Sequence, residues 1–183
     1  YLKFMEDGGY ENEDYWTEEG WRWNQSTKMT RPLFWIPDEV INGKQTYKFR
    51  AFTSIIDMPW DWPVETNYLE SKAFCNWKAE KTGKPIRLPT EAEWYRLRDM
   101  IPVDLDDWEF CTVGNVNLEV YASSIPVNKY EANGFYDIVG NVWQHTETPV
   151  DGFDGLKIHP LYDEFSTPTF DTMHNMIKGG SSV

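Results

Sequence analysis

Gly134-Phe135-Tyr136-Asp137-Ile138-Val139-Gly140-Asn141-Val142-Trp143-Gln144 is the stretch on which the reading of this chain turns. Apolar residues are interrupted there by Gly, Asn and Asp, so it reads as irregular chain and not as a helix or strand. A short irregular segment can wrap backbone carbonyls and side-chain oxygens around one hard cation, and calcium prefers such oxygen ligands. Asp137 and Gln144 are the side chains placed to take part. The alternative needs no metal, because an Asp in a turn commonly satisfies local backbone groups. Spacing alone does not choose between them.

Upstream lie two segments that read as helices. Asn67 is an N-cap with Glu70 three residues later, and Leu69, Ala73 and Trp77 then recur every four residues. Gly83 and Pro85 end that helix. Thr90-Glu91-Ala92-Glu93 is a capping box, Trp94, Leu97 and Ile101 form the buried stripe behind it, and Pro102 closes it. Residues Tyr47 to Thr53 largely alternate and read as a strand. Met58-Pro59-Trp60-Asp61-Trp62-Pro63 reads as a stiff loop, since each proline fixes φ and removes a backbone donor. The first forty residues read as irregular, apart from a turn at Gly8-Gly9 and a short helix opened by Thr17-Glu18-Glu19 that carries Trp21 and Trp23. Beyond Pro102 come short apolar pieces separated by turn formers, with no repeat and no low-complexity run. The sum is an α+β domain with two main helices, short strands and long irregular loops of the kind that tend to carry function.

Composition sets the bounds. One domain accounts for 183 residues, and a chain of that size buries enough surface to fold without disulfide staples. Ten Trp, ten Tyr and ten Phe predict a core built from rings. A net charge of -13, from 17 basic against 30 acidic residues, argues against nucleic-acid backbones and anionic membrane surfaces. Its plain meaning is solubility. Two cysteines, Cys75 and Cys111, are not a secreted disulfide framework. There is no apolar run of about 18 residues and hence no expected membrane span. A start at Tyr1 and an end at Gly179-Gly180-Ser181-Ser182-Val183 read as a piece of a larger polypeptide, incomplete at both ends, with the cytoplasm as the expected compartment.

The residues offer little chemistry by themselves. His145, His159 and His174 stand 14 and 15 residues apart, so no pair has the i, i+4 spacing of a helical metal motif. They read as surface or ordinary hydrogen-bonded histidines, and the chain is expected to hold no iron ligands. Cys75, beside Phe74 and close to Trp77, reads as a small buried hydrophobe. No Gly-rich phosphate loop or G-x-S-x-G elbow occurs.

Three strings nevertheless coincide in order. The run from Gly134 to Gln144 resembles the G-x-Y-D-x-x-G-N-V-W-E/Q-W signature of formylglycine-generating-enzyme (sulfatase-modifying factor) domains. Arg87-Leu88-Pro89-Thr90-Glu91-Ala92-Glu93-Trp94 is similar to the same superfamily's R-L-P-T-E-A-E-W, and Lys178-Gly179-Gly180-Ser181 resembles its R-G-G-S-W. Further strings resemble the 5-histidylcysteine sulfoxide synthases of ovothiol biosynthesis. These are Met58 to Glu70, Glu6-Asp7-Gly8-Gly9-Tyr10 with Glu19-Gly20-Trp21-Arg22-Trp23, and His159-Pro160-Leu161-Tyr162-Asp163 with Thr167-Pro168-Thr169-Phe170-Asp171. The ergothioneine-pathway sulfoxide synthases share the architecture and match the regions of Trp60 and Pro160 less well.

The resemblance implies a C-type-lectin-like fold over residues 1–183. It also implies a parent enzyme that uses Fe(II) and O2 to join the sulfur of cysteine to the imidazole of histidine as a sulfoxide. In such enzymes the iron histidines belong to a preceding four-helix domain with an H-x-x-x-H motif, and a methyltransferase domain follows; this chain contains neither. Carried over residue by residue, a Ca2+ site would use the side chains of Asp137 and Gln144 and the carbonyls of Gly140 and Val142. Gly180, Ser181 and Ser182 would line the substrates. Three departures stand out: His145 and Ser182 occupy positions where the family has Trp, and Asp151 lies in the loop where the family has a tyrosine near the iron. The absence of any cysteine after Cys111 argues against formylglycine generation itself. The competing expectation is a lectin-like binding or scaffold module with no chemistry of its own, in line with those departures.

Overall fold

The computed structural model describes residues 1–101 and 113–183. Pro102 and Cys111 lie outside the described residues. The first forty residues are more regular than their composition suggests. A short helix α1 spans Leu2–Glu6, a 3-10 turn spans Glu13–Tyr15, and helix α2 spans Glu18–Thr27. The hydroxyl of Thr17 accepts the Gly20 amide at 3.1 Å and starts α2 as its sequence predicts.

The strand expected around Tyr47–Thr53 is real but shifted. Strand β2 is Lys44–Arg50, flanked by β1 at Trp35–Ile41 and β3 at Ile55–Asp57 in an antiparallel sheet ordered β1-β2-β3. Asn42 and Gly43 take φ of 52° and 77°, which suits the two-residue hairpin turn whose twist matches the strands. Pro37 is tolerated because β1 is an edge strand, and the register slips between Pro37 and Val40. Trp35 and Phe49 pair across the hairpin and are both buried.

The two main helices follow their caps. Helix α3 spans Tyr68–Thr82; Asn67 Oδ1 accepts the Glu70 amide at 2.9 Å and Glu70 Oε2 accepts the Asn67 amide at 2.9 Å. Gly83 ends it in the left-handed region. Helix α4 spans Glu91–Arg98 behind the Thr90–Glu93 box. It stops before Ile101, short of the expected end. The amides of Met100 and Ile101 turn back to Leu97 and Arg98 in tight loops, which still buries Ile101.

Two cores result. One joins Phe4, Tyr10, Tyr15 and Trp16 to Ala73 and Trp77 of α3, with rings meeting edge-on and tilted. The other joins Trp94 of α4 and Ile101 to Ile138 and Val139. Short strands β4 (Glu131–Ala132) and β5 (Phe135–Tyr136) form a hairpin. Strands β6 (Gln144–Pro149) and β7 (Asn175–Lys178) pair antiparallel, with Gln144 opposite Lys178 and His145 opposite Ile177. Helix α5 spans Asp163–Ser166. No helix among the described residues is long and apolar enough to cross a membrane. The architecture is mixed helix and sheet with short strands, as the α+β reading expects.

Candidate functional site

Pairing of β6 with β7 brings the Gly134–Gln144 run against the Lys178–Ser181 run. The joint is made by backbone. Gly140 N donates to Gly179 O at 2.7 Å, Asn141 N donates to Asn115 O at 2.8 Å, and Ser182 N donates to Asn141 O at 3.2 Å. Gly140 has φ of 78°, and a Cβ there would lie 2.3 Å from Asn115 O, so only glycine permits this approach.

Asn141, 1% exposed, is the hub. Its Nδ2 donates to Ile125 O and to Asp137 Oδ2, both at 3.0 Å. Its Oδ1 accepts from Ile125 N at 2.9 Å and from Asn115 Nδ2 at 3.3 Å. A buried amide with donors and acceptors both engaged fixes the loop in one arrangement. Trp94 Nε1 ties α4 to the same loop through Ile138 O at 3.1 Å. Lys178, where the family motif has Arg, pairs with Glu91 and hydrogen-bonds Tyr95 Oη at 3.1 Å, lying over the Tyr95 ring.

Above this floor opens a cleft of about 570 Å³, walled by Thr66, Trp143, Gln144, His145, Ser181 and Ser182. Among the described residues that line it, the one formally charged side chain is Glu65. Burial by neighbouring protein pushes the Glu65 carboxyl up from its ordinary pKa. The cleft adjoins a smaller cavity of about 250 Å³, lined by Phe34, Phe49, Arg50 and Trp62; Phe52, Glu65 and Ser124 line both.

The residues singled out by sequence divide into those at the cleft and those away from it. Ser181 and Ser182 line it, with Gly180 between them and β7 at φ of 78°. Ser182 is buried. His145 lines it too: its Nε2 lies 3.0 Å from Thr66 O and its ring meets Tyr68 edge-on. The other histidines lie elsewhere. His159 Nδ1 accepts the Leu161 amide at 3.2 Å, and His174 Nδ1 pairs with Asp171 at 2.9 Å. Asp151 is exposed, accepts the Gly152 amide at 2.7 Å and is not among the residues lining the cleft. Arg50 and Asn115 are functional or positioning candidates that the motifs do not flag, and Glu65 lies within the Met58–Glu70 string, which assigns it no role.

Two metals are implied by resemblance, and the residues fit them unequally. For iron they do not fit: among the described residues no three of His, Cys, Asp and Glu converge on one point. For calcium the fit is partial. Asp137 Oδ1 is buried without a partner, which is the sort of orphaned oxygen that a cation satisfies. Burial raises the Asp137 carboxyl's pKa, opposed by the bond from Asn141. Against this, Gly140 O already accepts from Val142 N at 2.9 Å. Gln144 turns its amide nitrogen to the carbonyls of Asp137 and Ile138, so a cation needs that amide rotated to present oxygen.

No family model matches the chain. Curated relatives do. Hercynine oxygenase of Mycobacterium tuberculosis is 28% identical over 190 residues, covering 97% of this chain and 41% of that protein. Its counterpart in Mycolicibacterium smegmatis is 28% identical over 196 residues, covering 98% of this chain and 42% of that protein. Formylglycine-generating enzyme of Mus musculus is 29% identical over 140 residues, covering 64% of this chain and 34% of that protein. The chain thus spans about two fifths of the length of the hercynine oxygenases it matches. The homology runs along nearly all of the chain and supports a formylglycine-generating-enzyme-like domain.

Proposed function

We propose that this chain is the formylglycine-generating-enzyme-like domain, with a C-type-lectin-like fold, of a non-haem iron-dependent sulfoxide synthase that couples cysteine to histidine. The observation that carries the reading is the cleft. It sits where the two signature loops meet, and the likeness to hercynine oxygenases covers 97% of the chain. When bound, Fe(II) supplies the activation of O2. Because no residue set among the described residues fits it, the reading assigns its ligands to a separate helical domain of the same polypeptide. This chain's part is to wall the substrates. Exposed Phe153, Leu161, Phe165 and Met173 support a covering domain, since a folded surface seldom leaves so many large apolar groups to water.

Within the cleft the chain's own groups have definable tasks. Gln144, Ser181 and Ser182 offer neutral donors and acceptors. His145, with Nε2 near Thr66 O, has its other ring nitrogen left to hold or pass a proton. Backbone clamps around Asn141 keep that floor rigid, which is what positioning two substrates requires.

A second reading is favoured by the names of the relatives: an oxygenase acting on hercynine. The test uses the complete polypeptide that carries this sequence, loaded with Fe(II) under air. Cysteine with histidine is set against cysteine with hercynine, and products are read by mass spectrometry. A histidine–cysteine sulfoxide is the expected product. Product only with hercynine moves the enzyme to the second reading. Iron binding with no coupled product from either pair leaves a binding module and sinks the proposal.

A further inference from the structure

The smaller cavity carries an inference that the cleft alone does not. Its volume is about 250 Å³, below the roughly 300–1,000 Å³ of drug-sized sites, so it suits a small metabolite. Its walls are aromatic: Phe34, Phe49, Phe52 and Trp62. In that apolar setting stand two charged side chains of opposite sign, Arg50 and Glu65. Among the described residues neither side chain makes a hydrogen bond or an ion pair, with each other or with a third group. Both side chains are exposed at the rim of this cavity. Several other cations of the chain find carboxylates: Lys72 with Glu147, Arg87 with Glu93, and Lys178 with Glu91.

Both charges are placed by rigid elements. Arg50 ends β2, with its amide bonded to Phe34 O at 2.8 Å and its backbone paired to Ile55 of β3. Glu65 follows the Trp62-Pro63 turn and precedes the Asn67 cap of α3. A guanidinium recognises a carboxylate through two parallel donors, and an unpaired carboxylate recognises an ammonium. Aromatic faces beside them add attraction for a cation.

We propose that Arg50 and Glu65 form a subsite for the zwitterion of a free α-amino acid, Arg50 taking the carboxylate and Glu65 the ammonium. Glu65, Phe52 and Ser124 also line the large cleft, so an amino acid held there directs its side chain toward the signature loops. That this amino acid is a substrate rests on the proposed function; the binding itself rests on the cavity. Neighbouring protein raises the pKa of Glu65 while its side chain stays exposed at the rim of the cavity.

The probe is L-histidine, titrated into the full 183-residue chain by calorimetry and by proton–nitrogen NMR, beside Nα-acetyl-L-histidine and L-histidine methyl ester. Acetylation removes the ammonium and esterification the carboxylate. Each derivative should bind about fivefold more weakly than histidine, or worse. The variants should cross over. Glu65→Gln should bind histidine and its Nα-acetyl derivative alike while still rejecting the ester, and Arg50→Gln should do the reverse. Both side chains are exposed and unpartnered, so the variants fold, as circular dichroism will show. Saturable histidine binding with this crossed pattern sustains the subsite. No saturable binding at about 10 mM histidine, or equal binding of all three probes by the unmodified chain, overturns it. The complete polypeptide separates the two proposals: sulfoxide formation unaffected by both substitutions removes the subsite and leaves the proposed function. Crossed binding in a polypeptide that forms no sulfoxide does the opposite.

Discussion

Replacing Gly140 with Ala tests the claim that the two signature loops are clamped by backbone. An added Cβ would sit 2.3 Å from Asn115 O and 2.8 Å from Asn115 N and C. These are main-chain atoms, which cannot swing aside. The loop must therefore open, and it would give up the Gly140–Gly179 bond of 2.7 Å and the Asn141–Asn115 bond of 2.8 Å. Two lost hydrogen bonds cost about 2 kcal/mol. Overpacking adds about 1–3 kcal/mol, and a non-glycine residue at positive φ about 1–2 kcal/mol. The expected loss is about 4 kcal/mol or more, a large share of the roughly 5–15 kcal/mol that holds a domain together. Gly134→Ala is the control: its φ is 83°, but nothing lies within 4 Å of the new Cβ, so it bears the backbone term alone. Urea unfolding of both variants measures the difference, and the thermal midpoint of Gly140→Ala should fall by about 10 °C. Losses that agree within about 1 kcal/mol would show that the loops are not in contact as described.

Calcium at about ten times its dissociation constant should stabilise the chain by about 1.4 kcal/mol, read as a rise in melting temperature that Asp137→Ala abolishes. An unchanged melting temperature at millimolar calcium would assign Asp137 and Gln144 to backbone capping alone. Iron(II) titrated into this chain by calorimetry should give no sub-micromolar one-to-one complex, since the three histidines lie with different partners. Glu93, held down to about 2 by Arg87 and by the Thr90 amide, should make α4 acid-sensitive. Its folded pKa is depressed, so its contribution is present above the ordinary 4.5 and lost as pH falls toward 2. The stability gap between the unmodified chain and Glu93→Gln, measured by urea unfolding, should therefore close across that window, and a gap independent of pH would refute the ion-pair account.

How much of this the sequence discloses depends on how local the physics is. Capping is local: the hydrogen bonds that start α3 and α4 join residues three apart, so Asn67–Glu70 and Thr90–Glu93 are readable without a structure. Helix α1 is only five residues, shorter than any periodic signal, and is held by Phe4 packing into the aromatic core. Strand β1 contains Pro37, Asp38 and Glu39, poor strand formers that are tolerated on an edge. The Asn42-Gly43 turn is a signal for that hairpin that outweighs those residues. At the site, the signature strings locate the floor and Ser181 and Ser182. They say nothing of Asn115 and Ile125, which meet Asn141 across 26 and 16 residues of chain. Asp151 takes its place in the sequence reading from its loop alone, and that loop turns it to solvent.

The division between floor and walls bears on substrate choice. The floor is built from main-chain bonds and a buried neutral amide, Asn141, which also holds the Asp137 carboxylate, so it depends on Gly and Asn at fixed places. Charge enters from outside the three signature strings: Arg50 at the end of β2 and Glu65 in the link to α3. Discrimination between ligands comes from groups that a wrong ligand leaves unpaired, and among the described residues lining the smaller cavity these two are the charged ones. A trimethylated amine, as in hercynine, keeps its positive charge but has no N–H to donate, so Glu65 would hold it by charge and the neighbouring rings by their faces. A free α-ammonium adds hydrogen bonds to the same carboxylate. Exchange of Glu65 for a neutral residue should thus cost a free amino acid more than its trimethylated form. The choice between the two proposed readings then turns on Glu65 and its aromatic neighbours, which lie outside the three signature strings.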